Sequence, residues 1–162
     1  MKAGLNELIL ALANGRRPLV AVVGAGVSLA ATAGDPVASW VGLLRHGLHF
    51  CARELELEEG WLSSELARLN AGLSMDSIAE VLSVADSIVS ALGGEGNAKY
   101  KKWLELSVGQ LEPKAKGRVI LDVLRELSQR GVIVATTNYD GLLSRHLDMP
   151  PLSWGDYAQS CQ

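Results

Sequence analysis

The sequence predicts an α/β protein, a parallel sheet carrying a large all-helical insertion. Two apolar, β-branched runs, Pro18-Leu-Val-Ala-Val-Val23 and Val132-Ile-Val-Ala-Thr136, read as strands buried on both faces. Each runs into a turn and then a helix, an order that parallel strands in an α/β layer fit best. The pattern between them, from about residue 40 to 130, is helical. Two strands are too few for a stable sheet, so these 162 residues read as cut short at the C-terminal side or as hiding strands in the tail.

Residues 4 to 13 form an amphipathic pattern with Leu5, Leu8, Ile9 and Leu12 on one stripe, stopped by Asn14-Gly15. After the first strand and its turn, Trp40, Leu43, Leu44, Leu48 and Cys51 follow helix spacing. Ile78, Val81, Leu82, Ala85 and Val89 do the same behind Ser74, read as an N-cap. Gly93-Gly94-Glu95-Gly96 breaks the helices. Trp103, Leu104 and Leu111 continue the apolar set to Pro113. Val119, Ile120, Val123, Leu124 and Leu127 mark a further amphipathic helix, closed by Gly131. After the second strand a helix is read from Tyr139 to His146, with Asp140 in its first turn and Pro150-Pro151 beyond its end. The whole reads as one domain, 1–162, with a core from 16–40 and 130–162 and a helical insertion over 41–129.

Composition narrows the function classes. Hydrophobic residues make up 48% of the chain, enough for a packed core. A net charge of -3 gives no field for nucleic acid or an anionic membrane, and Arg16-Arg17 and Lys99 to Lys102 are short solvated clusters. No apolar run approaches the roughly 20 residues of a membrane span, and the first residues lack a signal-peptide core. Cys51 and Cys161 are too far apart for a zinc knuckle, so reduced thiols in a cytoplasmic protein are expected. Glu54, Glu56, Glu58 and Glu59 alternate as solvated carboxylates do, and no metal is assigned.

The chemistry gathers at the two turns. In Val23-Gly24-Ala25-Gly26-Val27-Ser28, Gly24 permits a tight turn and Gly26 leaves room for a pyrophosphate against backbone. A helix starting near Val27 would aim free N–H groups at that phosphate, and Ser28 would add a hydroxyl. A tight strand-to-helix connection without ligand is the plainer alternative. Leu29 occupies the sixth position of a Rossmann fingerprint and no Gly-Lys-Ser/Thr follows, so both common nucleotide motifs fail. In Ala135-Thr136-Thr137-Asn138-Tyr139-Asp140, Asn138 can orient a ribose hydroxyl or a water. Asp140 can accept from a carboxamide or stabilise positive charge. A helix cap and its dipole partner remain the alternative for this pair.

Taken together, Gly-Ala-Gly-Val-Ser at 24 to 28 and Thr-Thr-Asn-Tyr-Asp at 136 to 140 resemble the two signatures of sirtuin-like domains. The stretch Gly34-Asp35-Pro36-Val37-Ala38-Ser39-Trp40-Val41-Gly42-Leu43-Leu44 resembles the divergent bacterial branch, which includes NAD hydrolases of antiphage defence and N-terminal domains of larger signalling proteins. The likeness runs from about 18 to 158. It implies a Rossmann-like parallel sheet with NAD as substrate or ligand. Gly24, Ala25, Gly26, Ser28 and Thr137 would line the cofactor, and Asp35 and Trp40 would lie in a loop covering it. Asn138 would be the catalytic asparagine near the nicotinamide ribose, and Asp140 would approach the nicotinamide amide. The family's four-cysteine zinc module, its later catalytic histidine and its later strands are missing from these residues. His146 is read as a surface residue, and His46 and His49 as ordinary helix residues.

The resemblance therefore implies the N-terminal part of an NAD hydrolase that turns NAD and water into nicotinamide and ADP-ribose, with weak or absent activity in this chain alone. The other reading is a non-catalytic module that senses NAD or self-associates through the helical insertion, by Trp61, Trp103 and the apolar faces of 74 to 92. Protein deacylation is the weakest of the three.

Overall fold

The valine-rich residues Val20–Val23 form β1 and Ile133–Thr136 form β2, and the two pair in parallel with Val20 opposite Ile133 and Val23 opposite Thr136. The computed structural model describes residues 19–150 and Leu10, and within 19–150 the strands are accompanied by seven helices. They are α1 (Ala25–Ala31), α2 (Trp40–Glu54), α3 (Glu59–Ser74), α4 (Ile78–Ala91), α5 (Ala98–Leu106), α6 (Arg118–Gln129) and α7 (Leu142–Leu147). Short 3-10 turns cover Pro36–Ala38, Val108–Gln110 and Ala115–Gly117. The described residues are thus mostly helical with one small parallel sheet, and none of their helices is long and apolar enough to cross a membrane. Apart from Leu10, the helix read over 4–13, its stop at Asn14-Gly15 and the tail past Pro150 lie outside the described residues.

The chain divides into two compact units, Met1–Ala33 with Glu112–Gln162, and Gly34–Leu111. The helical unit thus starts before residue 41 and ends before 129, and α6 belongs with the strands. In the first unit, α6 packs on α1, α7 and β2. The contact with α1 is close because Lys114 N–H donates to Ala31 O at 2.8 Å and Gly117 brings no side chain there. Gly131, at φ +85°, ends α6 in the left-handed conformation that glycine adopts without strain and turns the chain into β2.

Three sequence expectations change here. The strands are not buried on both faces: Val20, Val22 and Ile133 are exposed, Val22 to 69%. The register puts Val20, Val22, Ile133 and Ala135 on one face, of which Ala135 alone is half-buried. In α6 the apolar arc is wider than its neighbours cover. Leu121 and Leu124 are buried, whereas Val119, Ile120 and Val123 face out. The last helix begins at Leu142, not Tyr139, and Asp140 stands before it, its Oδ1 accepting from Leu142 N–H at 3.0 Å.

The second unit is built from α2 packed on α3 and α4, with α5 beside the Val108–Gln110 turn. Ser39 caps α2 by accepting from Gly42 N–H at 3.0 Å, and Asn97 caps α5 by accepting from Lys99 N–H at 2.9 Å. Ser74 is the last residue of α3 and not a cap of α4, whose N-cap is Ser77. Leu44, Leu48, Phe50, Cys51, Leu69, Val84, Ile88 and Leu92 form the core. Trp103 lies inside it at 4% exposure and so offers no outer surface. Of the stripe read in α4, Val81 is buried while Ile78 and Leu82 are exposed, because the covered side is Val81, Val84 and Ile88. Glu54 belongs to the acidic run but is held by Lys102 Nζ at 2.7 Å, which keeps its carboxyl below the usual range.

Burial pushes the Cys51 thiol up to about 11, so little reactive thiolate forms at neutral pH. In a Cys161→Ser background, Cys51 is expected to be alkylated only as fast as the unit unfolds. The check is the labelling rate in native buffer against that in denaturant. Labelling of the native chain at the rate of a free thiol would contradict the packing.

Candidate functional site

The parallel register aligns the carboxyl ends of β1 and β2, and each strand delivers its turn to the same edge. Thr137 N–H donates to Val23 O at 3.2 Å, carrying the ladder one step past Thr136. The edge of an α/β sheet at its strands' carboxyl ends is where side chains from separate turns can converge on one ligand.

On the first turn, Gly24 precedes α1 and Val27 N–H returns to its carbonyl at 3.0 Å. The helix begins at Ala25, two residues earlier than the sequence suggested, so Ala25 and Gly26 sit in its first turn. Neither glycine is demanded by the fold. Gly24 has φ -121°, an extended value open to any residue, and a Cβ there would meet Thr137 Oγ1 at an ordinary 3.7 Å. A Cβ on Gly26 would meet nothing within 4 Å. The tight-turn role expected for Gly24 is therefore not what glycine supplies. Both positions instead leave the mouth of the turn without side chains.

Ser28 lies one turn into α1 and is only 2% exposed. Its hydroxyl is the junction of the two turns: Ser28 Oγ donates to Asp140 Oδ2 at 2.6 Å and accepts from Asn138 Nδ2 at 2.7 Å. Asn138 is fixed again through its backbone N–H, which donates to Thr136 Oγ1 at 3.0 Å. Thr32 Oγ1 donates to Ser28 O at 2.8 Å, tightening the end of α1. Ser28, Thr137, Asn138 and Asp140, with Gly24, Ala25 and Gly26, thus stand at one sheet edge.

Asp35 and Trp40 belong to the second unit. Asp35 Oδ1 accepts from Val37 N–H at 3.0 Å and caps the Pro36–Ala38 turn, and Trp40 opens α2 with 43% of its surface exposed. His46 is also there, its Nδ1 accepting from Trp103 Nε1 at 3.1 Å. His146 is not a free surface residue. Its Nε2 meets Asp122 Oδ1 at 2.8 Å, and Arg125 Nε donates to its carbonyl at 2.8 Å. The α7 carbonyl end is thereby tied to α6. A surface cavity of about 640 Å³ lies among Arg125, Ser128, Gln129, Leu147, Asp148 and Met149, none of which belongs to the two turns.

Sequence reasoning missed two contributors. Thr136 holds the Asn138 backbone, a bond foreshadowed by a threonine two residues before the bonded N–H. Gly117 sets the seat of α1, and nothing local in its Lys-Gly-Arg context marks it.

Comparisons of the chain with family models, curated proteins and solved structures found no match.

Proposed function

We propose that this chain binds NAD at its paired turns, in a Rossmann-like, sirtuin-like domain whose chemistry is cleavage of the nicotinamide–ribose bond by water. The observation that carries the reading is the joining of Asn138, Ser28 and Asp140 by two short hydrogen bonds at the carboxyl ends of adjacent parallel strands. Two glycines that the fold itself does not need add to it. Gly26 stands in the first turn of α1, where a Cβ would meet nothing within 4 Å, so packing gives no reason for the glycine and an approach from outside supplies one.

In this reading the diphosphate approaches the bare first turn of α1, and the ribose end approaches Asn138. Breaking the glycosidic bond builds positive charge on the ribose, which the neighbouring Asp140 carboxylate stabilises while Asn138 orients water. A second reading, binding without turnover, has its own support. Both Asp140 oxygens already accept bonds from the protein, and the first unit's described histidine, His146, is held by Asp122.

Calorimetric titration of NAD into the full chain, with nicotinamide release followed in parallel, tests the proposal. Saturable binding is expected, with little release from this chain because the first unit's described histidine, His146, is held by Asp122. Absence of binding would leave the paired turns a purely structural joint and reject the reading.

A further inference from the structure

We propose that Ser28 and Asp140 are positioning residues, which lock the Asn138 side chain with its amide nitrogen held inward and its carbonyl oxygen left to accept from a ligand. The inference concerns the protein's own groups. It rests on the function proposed above only in taking that free oxygen to face a ligand.

Proton counting settles the orientation. A serine hydroxyl carries one proton, and an ionised carboxylate can only accept. With Asp140 Oδ2 at 2.6 Å, the Ser28 proton is committed there. The group 2.7 Å away on Asn138 must then donate, and only the NH2 end of an amide can. Turned over, the Asn138 carbonyl oxygen would face the lone pairs of Ser28 Oγ with no proton between them. Ser28 is 2% exposed, so water does not supply an alternative partner.

Asp140 is fixed in turn, since its Oδ1 accepts from Leu142 N–H at 3.0 Å at the start of α7. The order of control therefore runs from the α7 backbone to Asp140, to Ser28 and to the Asn138 amide. Asn138 Oδ1 has no protein partner among the described residues. The face it offers is an acceptor close to a carboxylate. Such a face favours a group bearing hydroxyl or amide N–H donors and disfavours a bare oxyanion at that point.

The test reads the Asn138 side-chain amide by nitrogen–proton NMR in the ligand-free full chain. In the wild type, one of the two amide protons is expected to be shifted and slow to exchange with solvent. Ser28→Ala removes the acceptor and is expected to abolish both signatures, with backbone resonances elsewhere unchanged. Asp140→Asn is the sharper variant. Its new amide can itself donate to Ser28, so the hydroxyl proton is released from its single direction and the Asn138 amide is no longer obliged to donate.

Asp140→Asn is expected to lose the signature and to weaken ADP-ribose by about tenfold, the size of one hydrogen bond, while inorganic pyrophosphate is not weakened. A wild-type Asn138 amide that exchanges like a free side chain would overturn the proposal. So would an Asp140→Asn variant with the signature intact, or an equal loss for pyrophosphate. An intact signature in a chain that binds no ADP-ribose would instead reject the function proposed for the site and leave the positioning role standing.

Discussion

Gly117→Ala is expected to destabilise the chain by about 3 kcal/mol, the upper part of the range for forcing atoms into filled space. A Cβ at 117 would stand 2.1 Å from Ala31 O and 2.5 Å from Ala30 O. Both are backbone atoms at the end of α1, so no side-chain rotation relieves the clash. Either the Ala115–Gly117 turn lifts off α1, breaking the 2.8 Å bond from Lys114 N–H to Ala31 O, or α1 moves. The second course also draws Ser28 away from Asn138. Thermal unfolding checks this, with a fall on the order of 10 °C expected for a chain of this size. Gly26→Ala, where the added carbon meets nothing within 4 Å, supplies the comparison and is expected to melt no lower than wild type. A Gly117→Ala chain that melts within a degree of wild type would mean α1 is not seated as described.

Trp103→Ala is expected to cost about 3–5 kcal/mol, the usual result of emptying a core site of a large aromatic ring. The indole is buried, packs edge-on against Tyr100 at 5.5 Å and donates to His46 Nδ1 at 3.1 Å. Its seat exists because α2 carries Gly47 there: a Cβ at 47 would come within 2.8 Å of the indole and 2.9 Å of Ile88. Trp103→Phe keeps much of the volume and removes the donor, so roughly 1 kcal/mol of further loss beyond packing is expected for the bond.

The same bond gives the unit a pH dependence. Burial first, then the charges of Arg53 and His49, hold His46 below the ordinary histidine value, and only the neutral ring can accept at Nδ1. Above about pH 6.5 both folded and unfolded chains carry neutral His46 and the unit has its full stability. As pH falls below that value the unfolded chain takes up the proton first, so stability declines. Denaturant melts from pH 7.5 to 5.5 are expected to show the decline in wild type and a shallower one in His46→Gln. An unchanged slope would remove His46 from the explanation.

How far the sequence could go is visible in particular residues. Both strands were legible from their β-branched runs, and their parallel pairing followed from the helical segments that separate them. Their exposure was not legible, because an apolar run records what a strand is suited to and not what covers it. The same limit explains α6. Helical spacing marked the arc from Val119 to Leu127, but the buried side, Leu121 and Leu124, depends on where α1 and α7 lie. Two helix boundaries differ from the sequence reading: Asp140, whose side chain accepts from Leu142 N–H, precedes the helix it is read inside, and Ser74 is still helical where a cap is read.

At the site, the convergence of the two turns was readable from strand-then-turn order twice over. The internal wiring was not. A sequence shows that Ser28, Asn138 and Asp140 are polar; only their distances reveal that one serine proton decides which way the asparagine faces. At Gly26 an added Cβ would meet nothing within 4 Å, so the fold gives no packing reason for the glycine that the sequence reading assigns to a ligand.

The most direct measurement is a titration of NAD into the wild-type chain and into Gly26→Ala, with the melting temperatures of both recorded beforehand. If the bare first turn of α1 receives the dinucleotide, wild type takes up one equivalent and the variant, equally well folded, binds at least tenfold more weakly. Equal affinity in the two proteins, or no uptake by either, would contradict a nucleotide site at the meeting of these turns.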